Sequence, residues 1–179
     1  METKTDDPRA LAAAGFVLVM VGRDYNTGLS AIRRAEELNP NVAFVSMHIG
    51  VALLFAGESI DRALGHLEHA IRVSPGDPGG FTYRAMAAFC HFHAGRDERA
   101  VELARRAVDI YPNWDTTYWV LVPALARSGR MEEARTALEE LRRLSPHITG
   151  SLLRQTLPYR DKDMLEAVVN GLVAAGLPQ

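Results

Sequence analysis

The sequence predicts an all-α fold: four helix–turn–helix units in series, closed by a C-terminal capping helix. Three recurrent features carry that reading. Proline follows a helical phrase four times, at Pro40, Pro75, Pro112 and Pro146, with separations of 35, 37 and 34 residues. Before each proline comes a triplet of small or apolar residues spaced by four and three: Gly28, Ile32 and Ala35; Ala63, Leu67 and Ala70; Ala100, Ala104 and Ala107; Ala134, Leu138 and Leu141. That spacing puts each triplet on one helix face. A glycine precedes each triplet, at Gly22, Gly57, Gly95 and Gly129, where a left-handed residue ends a helix at little cost. A fixed period of this length is the mark of a stacked array, whose units bury their apolar faces only against one another.

The elements follow in order. Asp7 and Pro8 suit the N-cap and first position of helix one. The glycines and prolines then divide the chain into units at about 8–40, 41–75, 76–112 and 113–146. First helices are expected at about 10–21, 43–56, 79–94 and 114–128, and second helices at about 25–39, 60–73, 97–110 and 131–144. The 37-residue interval holds the run Gly76-Asp77-Pro78-Gly79-Gly80, read as a lengthened loop. Beyond Pro146 the period breaks. Residues 147–179 are expected to form the cap: a short helix from Ser151 to Leu157, a stop at Pro158, then a helix N-capped by Asp161 and ended by Gly176. Its stripe of Leu165, Val168, Val169 and Leu172 would cover the last unit.

These units resemble the tetratricopeptide repeat family. The third and fourth match best, through Gly95, Ala100, Ala107 and Pro112, then Gly129, Ala134 and Pro146. The first two carry one extra residue between glycine and small position, and Gly28 stands where alanine is usual. The resemblance covers about residues 8–146 and implies a right-handed superhelix whose first helices line a concave groove that binds a protein or peptide segment. Aligning the first helices places Phe16, Val19, Phe44, Met47, Val51, Phe55, Phe89, His93, Trp119 and Arg127 towards that groove. The Lys/Asn/Arg set with which some members hold acidic C-termini is replaced here by Ala, Phe, Met and Val. An apolar groove favours an amphipathic helix or apolar segment, including one from the same protein. Pro123, inside the fourth first helix, cannot donate to the carbonyl of Trp119 and is expected to kink it.

The tail carries a second resemblance. Leu153-Arg154, Pro158-Tyr159, Leu165-Glu166, Gly171-Leu172 and Ala175-Gly176-Leu177-Pro178 look like the C-termini of bacterial regulators. In those proteins a tetratricopeptide array follows a class III adenylate or guanylate cyclase or a winged-helix domain. The resemblance implies a regulatory C-terminal part of a larger signalling protein. Helix one, in Ala-Leu-Ala-Ala-Ala-Gly-Phe-Val-Leu-Val-Met-Val-Gly, is apolar on nearly every side. A terminal repeat should present a polar outer face, so a missing upstream helix, a second subunit or a local rearrangement is expected to cover it.

Composition agrees and excludes other classes. The chain is 47% hydrophobic with a net charge of -2, which gives no support for a nucleic-acid or anionic-membrane surface. The longest apolar stretch, about twelve residues from Ala10 to Val21, is too short to span a bilayer. Met1 to Arg9 lacks the basic start of a signal peptide, so the cytoplasm is the expected compartment. One cysteine, Cys90, excludes an intramolecular disulfide.

Chemistry finds little purchase. Cys90 and His93, and likewise His66 and His69, share helix faces, but the repeat alignment sends these two pairs to different places, so no metal site is expected. His91 falls at a position expected to be buried. No phosphate loop or nucleophile elbow is present. Adjacent acids such as Glu36-Glu37, Glu132-Glu133 and Glu139-Glu140 point apart on their helices. Arg33-Arg34, Arg105-Arg106 and Arg142-Arg143 suit helix ends and surface ion pairs. The expected function is non-enzymatic and cofactor-free: a scaffold holding a partner segment. The alternatives are homodimerisation through the apolar first helix and regulation of a cyclase in cis.

Overall fold

The computed structural model describes residues 7–179. Among them there are ten α-helices and no strand. They are α1 (Pro8–Val17), α2 (Tyr25–Leu38), α3 (Ala43–Phe55), α4 (Ile60–Val73), α5 (Gly80–His93), α6 (Asp97–Ile110), α7 (Asp115–Arg127), α8 (Met131–Leu144), α9 (Gly150–Thr156) and α10 (Lys162–Ala175).

Each of the four prolines lies two residues beyond the end of a second helix and acts on the residue between. The residue before proline is pushed out of the α region by the pyrrolidine ring. Asn39, Ser74, Tyr111 and Ser145 accordingly take φ of -164°, -140°, -144° and -132°, and each helix stops there. All four triplets are buried, and their alanines have no exposed surface. Small residues are needed because the backbones nearly touch. A Cβ on Gly28 would lie 2.9 Å from the carbonyl oxygen of Gly15 and 2.7 Å from Val19, so even alanine is too large there.

Three of the four expected glycine stops are left-handed: Gly57, Gly95 and Gly129 have φ of 70°, 72° and 79°. Gly22 is the correction. α1 ends in a π turn over Leu18–Gly22, which lengthens it by one residue, and Arg23 takes the left-handed position at φ 53°. The extra residue of the first unit is absorbed in that turn. A Cβ on Gly95 would meet nothing within 4 Å, so Gly95→Ala isolates the conformational cost. It should lose about 1–2 kcal/mol by urea unfolding. Gly22→Ala, equally open but not left-handed, should lose none.

The chain forms two compact units. The first runs to Asp77 and includes Pro158–Arg160 from the tail. In it α1 packs on α2, α3 on α4, and α3 also on α1 and α2. The second holds Pro78–Leu157 and Asp161–Gln179. There α5 packs on α6, α7 on α8, and α7 on both α5 and α6.

α10 belongs to the second unit and lies mainly against α7, with lesser contact to α8 and α9. Asp161 caps it, its Oδ1 accepting from the amides of Asp163 (2.9 Å) and Met164 (3.2 Å). Gly176, at φ 116°, ends it. The stripe of Leu165, Val168, Val169 and Leu172 is fully buried. Asp7 caps α1 through the amide of Arg9 at 2.9 Å.

Candidate functional site

The ten residues expected to line a groove fall into three environments. Val19, Val51, Phe55 and Phe89 are buried at 3% exposure or less and belong to the core, so they are corrected from lining to packing residues. Phe16, Met47, His93 and Trp119 are half-buried. Phe44 and Arg127 are exposed.

In the first unit an aromatic cluster joins α1 to α3. The His48 ring sits between Phe16 (centroids 4.9 Å apart) and Phe44 (4.0 Å). Its Nδ1 lies 2.7 Å from the Phe44 carbonyl. A carbonyl only accepts, so Nδ1 carries the proton and the imidazole is neutral when Nε2 has none. Burial lowers the His48 pKa, partly offset by that bond. His48 was not singled out in the sequence; its spacing of four from Phe44 on one helix was the available signal. Phe44 keeps 39% of its surface exposed, and on α1 and its π turn Val17 and Val21 are 51% and 77% exposed.

The same unit holds three tail residues. The Tyr25 hydroxyl donates to the Pro158 carbonyl (3.1 Å). The Arg160 amide donates to the Phe55 carbonyl (2.9 Å). The Tyr159 ring packs 4.7 Å from that of Phe55. The sequence does not bring Tyr25 and Phe55 to this segment, since Tyr25 and Pro158 are 133 residues apart. The one local signal was a proline and tyrosine within the polar stretch after α9.

In the second unit α10 lies against the first helix α7. A Cβ on Gly171 would lie 2.3 Å from Cβ of Pro123, so α10 meets α7 at the one place where α7 carries a proline. An amphipathic helix from the same protein therefore packs on α7. Arg127 is not free to meet a partner. Its guanidinium stacks 3.8 Å over Phe92 and bonds both Asp97 oxygens through Nε at 2.8 Å. It also donates to the Phe92 carbonyl. Beside it, burial first and the Arg127 charge second push the His93 imidazole down to about 4, against the favourable pull of Asp161. Trp119 lines an open cleft of about 430 Å³ with Asp115, Ser145, Pro146, Ile148 and Thr156. The Ser145 hydroxyl donates to Asp115 (2.6 Å). The Trp119 indole N–H is buried and meets no acceptor.

Much of the remaining surface charge is held in ion pairs. Glu36 binds Arg62 (2.8 Å) and His66 (3.1 Å). Glu133 binds Arg130 and Arg105, whose hydrogen bonds hold its carboxyl at about 2. Such a carboxylate is a weak base, unsuited to proton transfer near neutrality. The recurrent arginines meet acids: Arg34 with Glu37, Arg106 with Glu102, Arg143 with Glu140. Among the described residues, no group of three or more His, Cys, Asp or Glu is placed to hold a metal ion. Cys90 and His91 are buried. No helix among them is long and apolar enough to cross a membrane.

Comparison with known proteins bears on the fold. The tetratricopeptide repeat family model matches residues 49–113. No curated protein matches the chain. Among solved structures, MamA (41-end) from Desulfovibrio magneticus RS-1 is 22% identical, with a TM-score of 0.64 over 80% of this chain and 78% of that one. PilW, a widely conserved type IV pilus biogenesis factor, is 13% identical, with a TM-score of 0.71 over 94% and 74%. The APC/C hetero-tetramer Cut9–Hcn1 is 11% identical, with a TM-score of 0.75 over 95% of this chain and 30% of that one. These likenesses show an all-helical α-solenoid fold of tetratricopeptide type.

Proposed function

We propose that the chain is a protein-interaction scaffold whose free docking surface is the aromatic cluster of the first unit. The observation that carries this reading is the exposure of Phe44, stacked on His48 and backed by half-buried Phe16 and Met47. In the second unit the corresponding helix, α7, is covered by α10. The partner is a protein segment with an apolar face, since aromatic anchors at an interface dominate binding energy.

Two finer readings have their own support. Val17 and Val21 project from α1 and its π turn, which favours a second copy of the chain as occupant of that side. The tail's resemblance to bacterial cyclase-linked arrays supports a regulatory role in cis within a cytoplasmic signalling protein. One comparison separates them. Phe44→Glu should weaken partner binding in affinity capture at least 30-fold (about 2 kcal/mol) and leave mass by light scattering unchanged. Val21→Glu should leave that binding intact and halve the mass if the chain is a dimer through α1. A partner set unaltered by Phe44→Glu removes the cluster from the function. A wild-type monomer removes the dimer.

A further inference from the structure

Three residues of the first unit do not come from its helices, and they are held as a bound peptide is held. α3 ends at Phe55, and the last four carbonyls of any helix lack intrahelical partners. The turn after α3 satisfies two of them: Glu58 N–H donates to Leu53 (3.0 Å) and Gly57 N–H to Leu54 (3.2 Å). The Phe55 carbonyl accepts instead from Arg160 N–H, at 2.9 Å. Two residues earlier the polarity reverses, and the Pro158 carbonyl accepts from the Tyr25 hydroxyl.

Between those bonds Tyr159 turns onto Phe55 and is 1% exposed. Beyond them the Arg160 guanidinium lies 5.7 Å from the Tyr25 ring, within cation–π range. The segment itself is neither helix nor strand, and proline at its head limits the conformations it must give up on docking. Backbone bonds at both ends and one buried side chain between them are the ingredients of extended-peptide recognition, in which main-chain bonds supply affinity and a side-chain pocket supplies selectivity.

We propose that Tyr25 and Phe55 form an acceptor site for an extended Pro–Tyr–basic segment, filled here in cis by Pro158–Arg160, and that a partner segment of that chemistry binds by displacing it. This deepens the scaffold reading by adding a second, selective site, and it does not depend on the Phe44 cluster. A competing segment replaces each contact one for one. What it must overcome is the effective concentration of the tethered segment, which is millimolar for a short tether. The site is therefore closed to a micromolar competitor until the cis anchor is weakened.

The test uses the full chain and a fluorescein-labelled peptide reproducing residues 155–164. Tyr159→Ala should bind the peptide saturably, at least 10-fold more tightly than wild type does. Adding Tyr25→Phe should weaken that binding several-fold, and a peptide with alanine at its tyrosine should not bind. Equal affinity for wild type and Tyr159→Ala overturns the proposal, as does absence of saturable binding to a Tyr159→Ala chain with wild-type helicity. If that variant does not fold, amide exchange of the wild type decides. The Arg160 N–H should exchange at least 10-fold faster than the amides of α3, showing that the segment opens locally. Exchange as slow as that of α3 means the segment leaves only on unfolding, and the proposal fails. Because Phe44→Glu leaves the Tyr25–Phe55 site intact, loss of partner capture in that variant and loss of peptide binding here are separate results.

Discussion

Gly171→Ala lowers the stability of the chain by about 2 kcal/mol, while Gly65→Ala raises it by roughly 0.5–1 kcal/mol. Both residues lie inside helices, α10 and α4. On propensity alone both changes should help, since glycine in a helix interior costs that much relative to alanine. What separates them is the space around the new methyl. At Gly65 it meets nothing within 4 Å and the residue is exposed. At Gly171 it would sit 2.3 Å from Cβ and 2.8 Å from Cα of Pro123. The second atom is backbone and the first belongs to a rigid ring, so neither can swing away. α10 must shift off α7, and overpacking of this kind costs about 1–3 kcal/mol. Urea midpoints of the two variants check the result. A Gly171→Ala chain as stable as wild type would mean that α10 does not pack on α7 as described.

This contact also gives Pro123 a fitted neighbour. The sequence places a bend at Pro123, because the ring removes a donor and crowds the preceding turn. What could not be read is that a glycine 48 positions away, on a helix outside the repeat, is fitted to it. Local signals were legible: prolines that eject their predecessors from the helix, left-handed glycines, small buried triplets, the Asp161 cap and the Gly176 stop. Each depends on residues a few positions apart. The groove was less legible. An apolar residue on a first helix reads the same whether it faces a partner or the core, and packing alone sent Val51 and Phe89 inward while leaving Phe44 out. The π turn was hidden for a related reason. Gly22 is the residue a left-handed stop prefers, yet the five-residue turn of Leu18–Gly22 moves that position onto Arg23.

Acidification below about pH 6.5 should destabilise the chain, and His93 is the main cause. Its imidazole titrates near 4 in the folded chain against an ordinary 6.5. Between those values the unfolded chain binds the extra proton, so stability rises with pH across the window and is lost as pH falls through it. The loss begins below about pH 6.5, reaches roughly 2 kcal/mol at pH 5 and levels off at ~3.5 kcal/mol below pH 4, at ~1.4 kcal/mol per unit. The geometry supports the sign. His93 lies half-buried against the Phe92 ring, with the Arg127 cation beside it, and the pull of Asp161 only partly offsets them. Arg127 cannot move off, because Asp97 and the Phe92 carbonyl hold it. His48 and His66, both lowered chiefly by burial, add to the loss in the same direction. His93→Gln isolates the main contribution: the difference in unfolding free energy between pH 7.5 and pH 5 should shrink by about 2 kcal/mol relative to wild type. Glu133, held at about 2 by Arg130 and Arg105, titrates below the window. If His93→Gln keeps the full wild-type pH dependence, the imidazole is not held neutral by burial and the Arg127 charge, and the account of that corner of the second unit is wrong.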